Sequence, residues 1–146
     1  MIVTAPVAGT AVPLSAVPDP VFAEELVGPG LAVDPARGPA VVVSPVDGHV
    51  SMLHPHAFVV TAGGRGVLVH LGIDTVRLGG AGFELLVEAG ATVCCGQPMI
   101  RWDPAAVQAG GLSPVCPVVA LDAAAGALSG LAAGPVSAGD PLFSWS

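Results

Sequence analysis

Lysine is absent, and Arg37, Arg65, Arg77 and Arg101 are the only fixed cations in a chain of 146 residues. Against 11 acidic residues they leave a formal net charge of −7. Such a surface cannot neutralise a phosphate backbone, which excludes nucleic acid as a partner. The same field attracts a basic protein surface and speeds its encounter. Cysteine is scarce too. Cys94, Cys95 and Cys116 form an odd set with an adjacent pair and no CxxC spacing, which suits a reducing, cytoplasmic compartment better than a disulfide scaffold. All three read as small buried strand residues. Long unbroken hydrophobic runs are missing. The uncharged first 18 residues lack a basic segment and are interrupted by Pro6, Gly9, Pro13 and Pro18, so no signal peptide is expected. Residues 104–121 and 123–139 are cut by proline and glycine and rich in alanine, so no direct membrane insertion is expected.

What is present is apolar and turn-rich: 53% of residues are hydrophobic, with 20 glycines and 15 prolines spread between short runs. That balance fits one domain, 1–146, with a sizeable core. The runs Met1–Ala5, Val41–Val43, Ala57–Thr61, Val67–Ile73, Met99–Trp102 and Leu142–Trp145 read as strands. The fold class is therefore all-β: an antiparallel β-sandwich or flattened barrel with one or two short helices. Asp103-Pro104 is a cap followed by an N1 proline, and Gly110-Gly111 ends that helix within about two turns. The alanine-rich stretch 123–133 is expected to give another turn or two of helix, weakened by Gly126 and Gly130.

Two internal echoes appear. Residues 5–14 (APVAGTAVPL) align without gaps to 44–53 (SPVDGHVSML), and 93–102 (VCCGQPMIRW) to 136–145 (VSAGDPLFSW). They point to two interleaved β-motifs related by pseudo-symmetry. Trp102 and Trp145, at matching places, read as strand-end core residues. The V-x-x-G-[DQ]-P turn resembles that of biotinyl and lipoyl carrier domains, but those need a lysine amine, and none exists here.

The residues that carry chemistry are His54-Pro55-His56 and the run Val67 to Thr75. Alternation along a strand places His70 on the face of Leu68, with Val67, Val69 and Leu71 on the other. If the strand bearing His56 lies alongside, two imidazoles meet on one apolar face. Such a pair suits a metal site, acid–base catalysis, or covalent phosphoryl transfer with one histidine as nucleophile. Histidines merely satisfied by their neighbours are the plainer reading. His49 comes after a Pro-Val-Asp-Gly turn and reads as solvated, and His54 as either site edge or surface.

Taken together, APVAG near the start, VPDPVFAEELVGPGLAV at 17–33, SPVDGHV at 44–50, HAFVV at 56–60, VLVHLGIDTVRLGGAGF at 67–83 and VSAGDPLF near the end resemble the glucose-type enzyme IIA family of the bacterial phosphoenolpyruvate-dependent sugar phosphotransferase system. HLGIDT with an upstream HAF is the specific part. The resemblance implies that His70 accepts a phosphoryl group from HPr and passes it to a cysteine of the IIB domain of a sugar permease of the glucose or N-acetylglucosamine type, with His56 stabilising the transferring group. It implies a shallow apolar depression rimmed by Phe22, Val27, Met52, Phe58 and Leu68, with Asp19 and Asp74 beside it to pair with an arginine of HPr. Gly72 would let backbone approach the phosphoryl group, and Thr75 would anchor the next turn. The family expectation is a monomer with no required cofactor.

The sequence also departs from the family. His54 stands where relatives usually carry a threonine, and Leu68 and Leu71 replace phenylalanines. An amphipathic N-terminal extension is not expected, so membrane contact would come through the permease. Two alternatives belong to other classes. His54-x-His56 with His70-x-x-x-Asp74 contains the elements of a lysostaphin-like zinc metallopeptidase, in reversed order. A non-catalytic regulator is the other, since unphosphorylated relatives bind other transporters or kinases, sometimes with zinc between the two histidines and a partner carboxylate.

Overall fold

Each predicted apolar run contributes a strand in the computed structural model, which describes residues 1–146. In chain order they are β1 (Ile2–Thr4), β2 (Gly9–Pro13), β3 (Gly30–Pro35), β4 (Ala40–Val43), β5 (Gly48–His54), β6 (Ala57–Ala62), β7 (Arg65–His70), β8 (Glu84–Leu85), β9 (Thr92–Val93), β10 (Pro98–Trp102), β11 (Cys116–Ala120), β12 (Leu128–Ser129), β13 (Gly134–Val136) and β14 (Pro141–Trp145). Two short helices, α1 (Pro20–Ala23) and α2 (Pro104–Ala109), complete them. An eight-stranded sheet runs β13-β2-β3-β11-β7-β6-β5-β9, and two three-stranded sheets run β1-β14-β12 and β4-β10-β8. The strand pairs are antiparallel. One buried cluster joins all three: Val33, Phe58 and Val69 from the large sheet, Phe143 and Trp145 from one small sheet, Ile100 and Trp102 from the other. This is a β-sandwich.

The internal echoes are real in the backbone. Ala5 N donates to Asp140 O (2.8 Å) and Gly139 N to Ala5 O (2.9 Å); at the matching place Ser44 N donates to Gln97 O (2.9 Å) and Gly96 N to Ser44 O (2.8 Å). The two Pro-Val turns also exchange bonds, Thr4 N to Pro45 O and Val43 N to Pro6 O, both 3.0 Å. Even the side-chain turns repeat, with Asp140 Oδ2 accepting from Ser137 N (2.8 Å) and Gln97 Oε1 from Cys94 N (3.1 Å). Each motif thus closes on the other by one repeated bonding scheme.

Three expectations need correction. The stretch 123–133 forms no helix. Gly126 (φ 85°) and Gly130 (φ 61°) are both left-handed, which breaks helical continuity, and Leu128–Ser129 pairs with β14 instead. Only Cys116 is a buried strand residue; Cys94 and Cys95 are exposed, because they open the turn between β9 and β10. Finally, the run Val67–Ile73 ends as a strand at His70, after which the chain turns sharply. The Asp103 cap is as expected, its carboxylate accepting from Ala105 N at 2.9 Å.

Candidate functional site

The site grows from the outer face of the large sheet. In the β6–β7 hairpin, Phe58 lies opposite Val69 and Ala57 opposite His70. The first pair points into the core and the second points out. Phe58 is therefore core, fully buried, and not rim as the resemblance implied. Outward-facing residues instead build a second apolar cluster of Leu14, Val17, Phe22, Ala32, Ile73, Val115 and Val119, flanked by Val27 and Leu68. Phe22 thus belongs to this outer cluster, and Val27 and Leu68 pack against it. Leu14, Val17, Ile73, Val115 and Val119 were missed; for Val119 the hint was the unbroken apolar run of β11, which marks a strand covered on both faces.

Met52 and His54 reach the same face through an irregularity. Val50 pairs with Val60 and faces the core, yet Met52 pairs with Val59 and His54 with Ala57, because the register shifts between Val50 and Met52. This bulge at Ser51 reverses the alternation, as bulges beside functional sites do. His56 is not in a strand at all. It occupies the two-residue turn Pro55-His56 between β5 and β6, and its carbonyl accepts from Leu71 N at 2.7 Å.

Beyond His70 the loop is held from several directions. Gly72 has φ 79°, and a Cβ there would meet Thr75 Cγ2 at 2.7 Å and Ser113 O at 2.9 Å, so only glycine fits. Thr75, fully buried, donates from Oγ1 to Leu71 O at 2.7 Å, and Ile73 N donates to Ser113 O at 2.8 Å. Asp74 is left-handed (φ 60°), exposed, and 3.9 Å from Arg77. Fixed in this way, the Gly72 carbonyl accepts a 2.5 Å bond from His70 Nδ1. That bond places the ring proton on Nδ1 and leaves the lone pair on Nε2.

The His70 ring lies 5.3 Å from the Phe22 ring and 5.2 Å from the His56 ring, the latter at 70°; His54 stacks on His56 at 5.7 Å and 16°. Phe22 is delivered by α1, whose N-cap Asp19 accepts from Val21 N at 2.9 Å. Burial holds the His70 pKa below the ordinary imidazole value, partly offset by the Gly72 bond and by the charges of Asp19 and Asp74. His56 is also lowered, first by burial, then by the neighbouring His70 and His54. Both rings are thus biased to the neutral, nucleophilic form.

The arrangement is an open patch. The histidines line none of the molecule's three cavities, the largest of which, about 480 Å³, lies between Val12, Arg37 and Gln108. No group of three or more His, Cys, Asp or Glu side chains is placed to hold a metal ion, so the ligand set of a zinc peptidase is not assembled by His54, His56, His70 and Asp74. No helix is long and apolar enough to cross a membrane. Cys116 is fully buried, and burial pushes its thiol up to about 12, against formation of the thiolate.

A family model described as phosphoenolpyruvate-dependent sugar phosphotransferase system, EIIA 1, matches residues 1–125. The glucose-specific EIIA component of the Oceanobacillus iheyensis phosphotransferase system is 41% identical over 120 residues, 80% of this chain and 72% of that protein. A glucose-specific EIIBCA component from Corynebacterium glutamicum is 40% identical over 124 residues, 83% of this chain but 18% of that longer protein. Among solved structures, glucose permease IIA from Mycoplasma capricolum superposes with a TM-score of 0.90 at 32% identity, covering 98% of this chain and 94% of that one.

Proposed function

The chain belongs to the EIIA 1 family of the phosphoenolpyruvate-dependent sugar phosphotransferase system, and we propose that it carries the phosphoryl group on Nε2 of His70. The observation behind this reading is the 2.5 Å bond from His70 Nδ1 to the Gly72 carbonyl, with the His56 ring 5.2 Å away. Because Nδ1 keeps its proton, Nε2 attacks phosphorus without deprotonation. The new N–P bond forms as the phosphohistidine N–P bond of HPr breaks, and the electron pair returns to the donor imidazole. In the second step a cysteine thiolate of a IIB domain attacks, and the pair returns to Nε2.

His56 donates an N–H to a phosphoryl oxygen and steadies the charge in flight. Phe22, Val27, Met52 and Leu68 keep the surroundings apolar and limit loss of the group to water. Asp19 and Asp74 meet the arginine of the partner, and the net charge of −7 steers the encounter. An open patch suits a reaction whose substrate is another protein's side chain. Residues 1–146 act as one IIA domain in the cytoplasm, a monomer without cofactor, and the permease specifies the sugar.

The test is intact-protein mass after incubation with phosphoenolpyruvate, enzyme I and HPr. The native chain should gain one acid-labile phosphoryl group. His70→Ala should gain none, and His56→Ala should be loaded yet fail to pass the group to a IIB domain. An adduct that survives in His70→Ala sinks the assignment.

A further inference from the structure

On the reading that His70 carries the phosphoryl group, we propose that His54 is a positioning residue for the transfer, holding the plane of the His56 imidazole toward the reacting face. The backbone of His56 is already fixed: its carbonyl takes the Leu71 N–H at 2.7 Å, and Pro55 sets the turn before it. Its side chain is not, because no group of the chain hydrogen-bonds either ring nitrogen. The direction of the ring is therefore decided by packing alone. His70 meets it edge-on, at 5.2 Å and 70°. His54 meets it face to face, 5.7 Å between centroids and 16° between planes, within the range of offset stacking.

That stack is a product of the fold. Strict alternation from Val50, which faces the core, would turn His54 inward. The bulge at Ser51 reverses it, so His54 emerges on the same side as His56 two residues later. His54 is exposed and stacks on the His56 ring, which in turn meets His70, so its contact with the pair runs through His56. A hydrogen-bond donor that must aim at a moving oxygen gains rate from a fixed plane.

The experiment compares native chain, His54→Ala and His54→Phe. Single-turnover transfer from the phosphorylated chain to a IIB domain is followed as a function of acceptor concentration, beside long-range proton–nitrogen NMR spectra of the imidazoles. His54→Ala should lower the maximal rate by about two- to tenfold, the worth of one aromatic contact, at unchanged half-saturation. Its His56 resonances should shift and broaden, while His70 retains the Nδ1–H tautomer. His54→Phe keeps a flat ring without nitrogens and should restore most of the lost rate and the native His56 signals. A native rate in His54→Ala, unchanged His56 signals there, or a failure of phenylalanine to rescue would each overturn the proposal. If the native chain takes no phosphoryl group, the functional reading falls instead, while the NMR comparison still decides whether the stack orders His56.

Discussion

The β6–β7 hairpin has two faces with opposite duties. Inward, Phe58, Val60, Val67 and Val69 are completely buried in the common core. Outward, Gly66, Leu68 and His70 of β7 retain part of their surface, beside Ala57 and Val59. One ladder of hydrogen bonds serves both, so the His70 imidazole stands on a base shared with the core of the sandwich. Support is thus inherited from the core, and the outer face is left to supply chemistry.

The sharpest way to break this comparison is to truncate one residue from each face. Phe58→Ala should cost about 3–5 kcal/mol of stability in denaturant unfolding, because the cavity cannot collapse between two sheets. Leu68→Ala should cost about 1 kcal/mol, since its side chain already meets solvent. Its effect belongs in the kinetics, as faster hydrolysis of the phosphorylated protein. Equal stability losses would mean that the outer cluster is ordinary core.

Thr75→Val is next in size. It removes a 2.7 Å bond to Leu71 O at a fully buried position, leaving that carbonyl unpaired. The expected loss is about 1–3 kcal/mol, measured by thermal or denaturant unfolding. The same variant loosens the Gly72 carbonyl, so His70 should lose part of its Nδ1–H preference, visible by NMR. A stability loss with an unmoved His70 tautomer would separate the loop's structural duty from its chemical one.

Acid offers a gentler probe of the outer face alone. His56 and His70 are both held below 6.5, so the folded chain binds fewer protons than the unfolded chain as pH falls past that value. Stability should be flat above about pH 6.5 and decline below it, down through the two folded values. Loading should fall with it, because a protonated His70 has no lone pair on Nε2. In His70→Ala the acid slope should shrink; an unchanged slope would place the responsible group elsewhere.

How much of this is legible in the sequence depends on the range of the forces involved. His70, Gly72 and Thr75 are set by local chain geometry, and the HLGIDT run displays it. The duplication is readable because each copy repeats the same turn residues. Phe58 is misplaced by sequence reasoning because which face of a strand meets core is settled by register with β7, not by its neighbours in the chain. His54 depends on a bulge that no residue pattern around Ser51 announces. The 123–133 stretch misleads because its alanine content favours helix while two of its glycines adopt left-handed backbone, and the pairing of Leu128–Ser129 with β14 is a long-range contact.

Asp19→Asn tests the smallest difference. The residue has two duties that the structure superimposes: its side chain caps α1 through Val21 N, and its charge opposes the burial that lowers the His70 pKa. Asparagine keeps the cap, so stability should stay within about 0.5 kcal/mol, whereas Asp19→Ala should lose about 1 kcal/mol. Removing the charge should lower the His70 pKa further and slow loading from HPr more at low salt than at high salt, since a partly exposed carboxylate acts over a screened distance. If both variants load at the native rate, Asp19 is only the cap that delivers Phe22 to His70, and steering rests on Asp74 and the overall charge. If asparagine alone flattens the salt dependence, helix and encounter share one carboxylate, and the outer face uses even its structural residues to meet a partner.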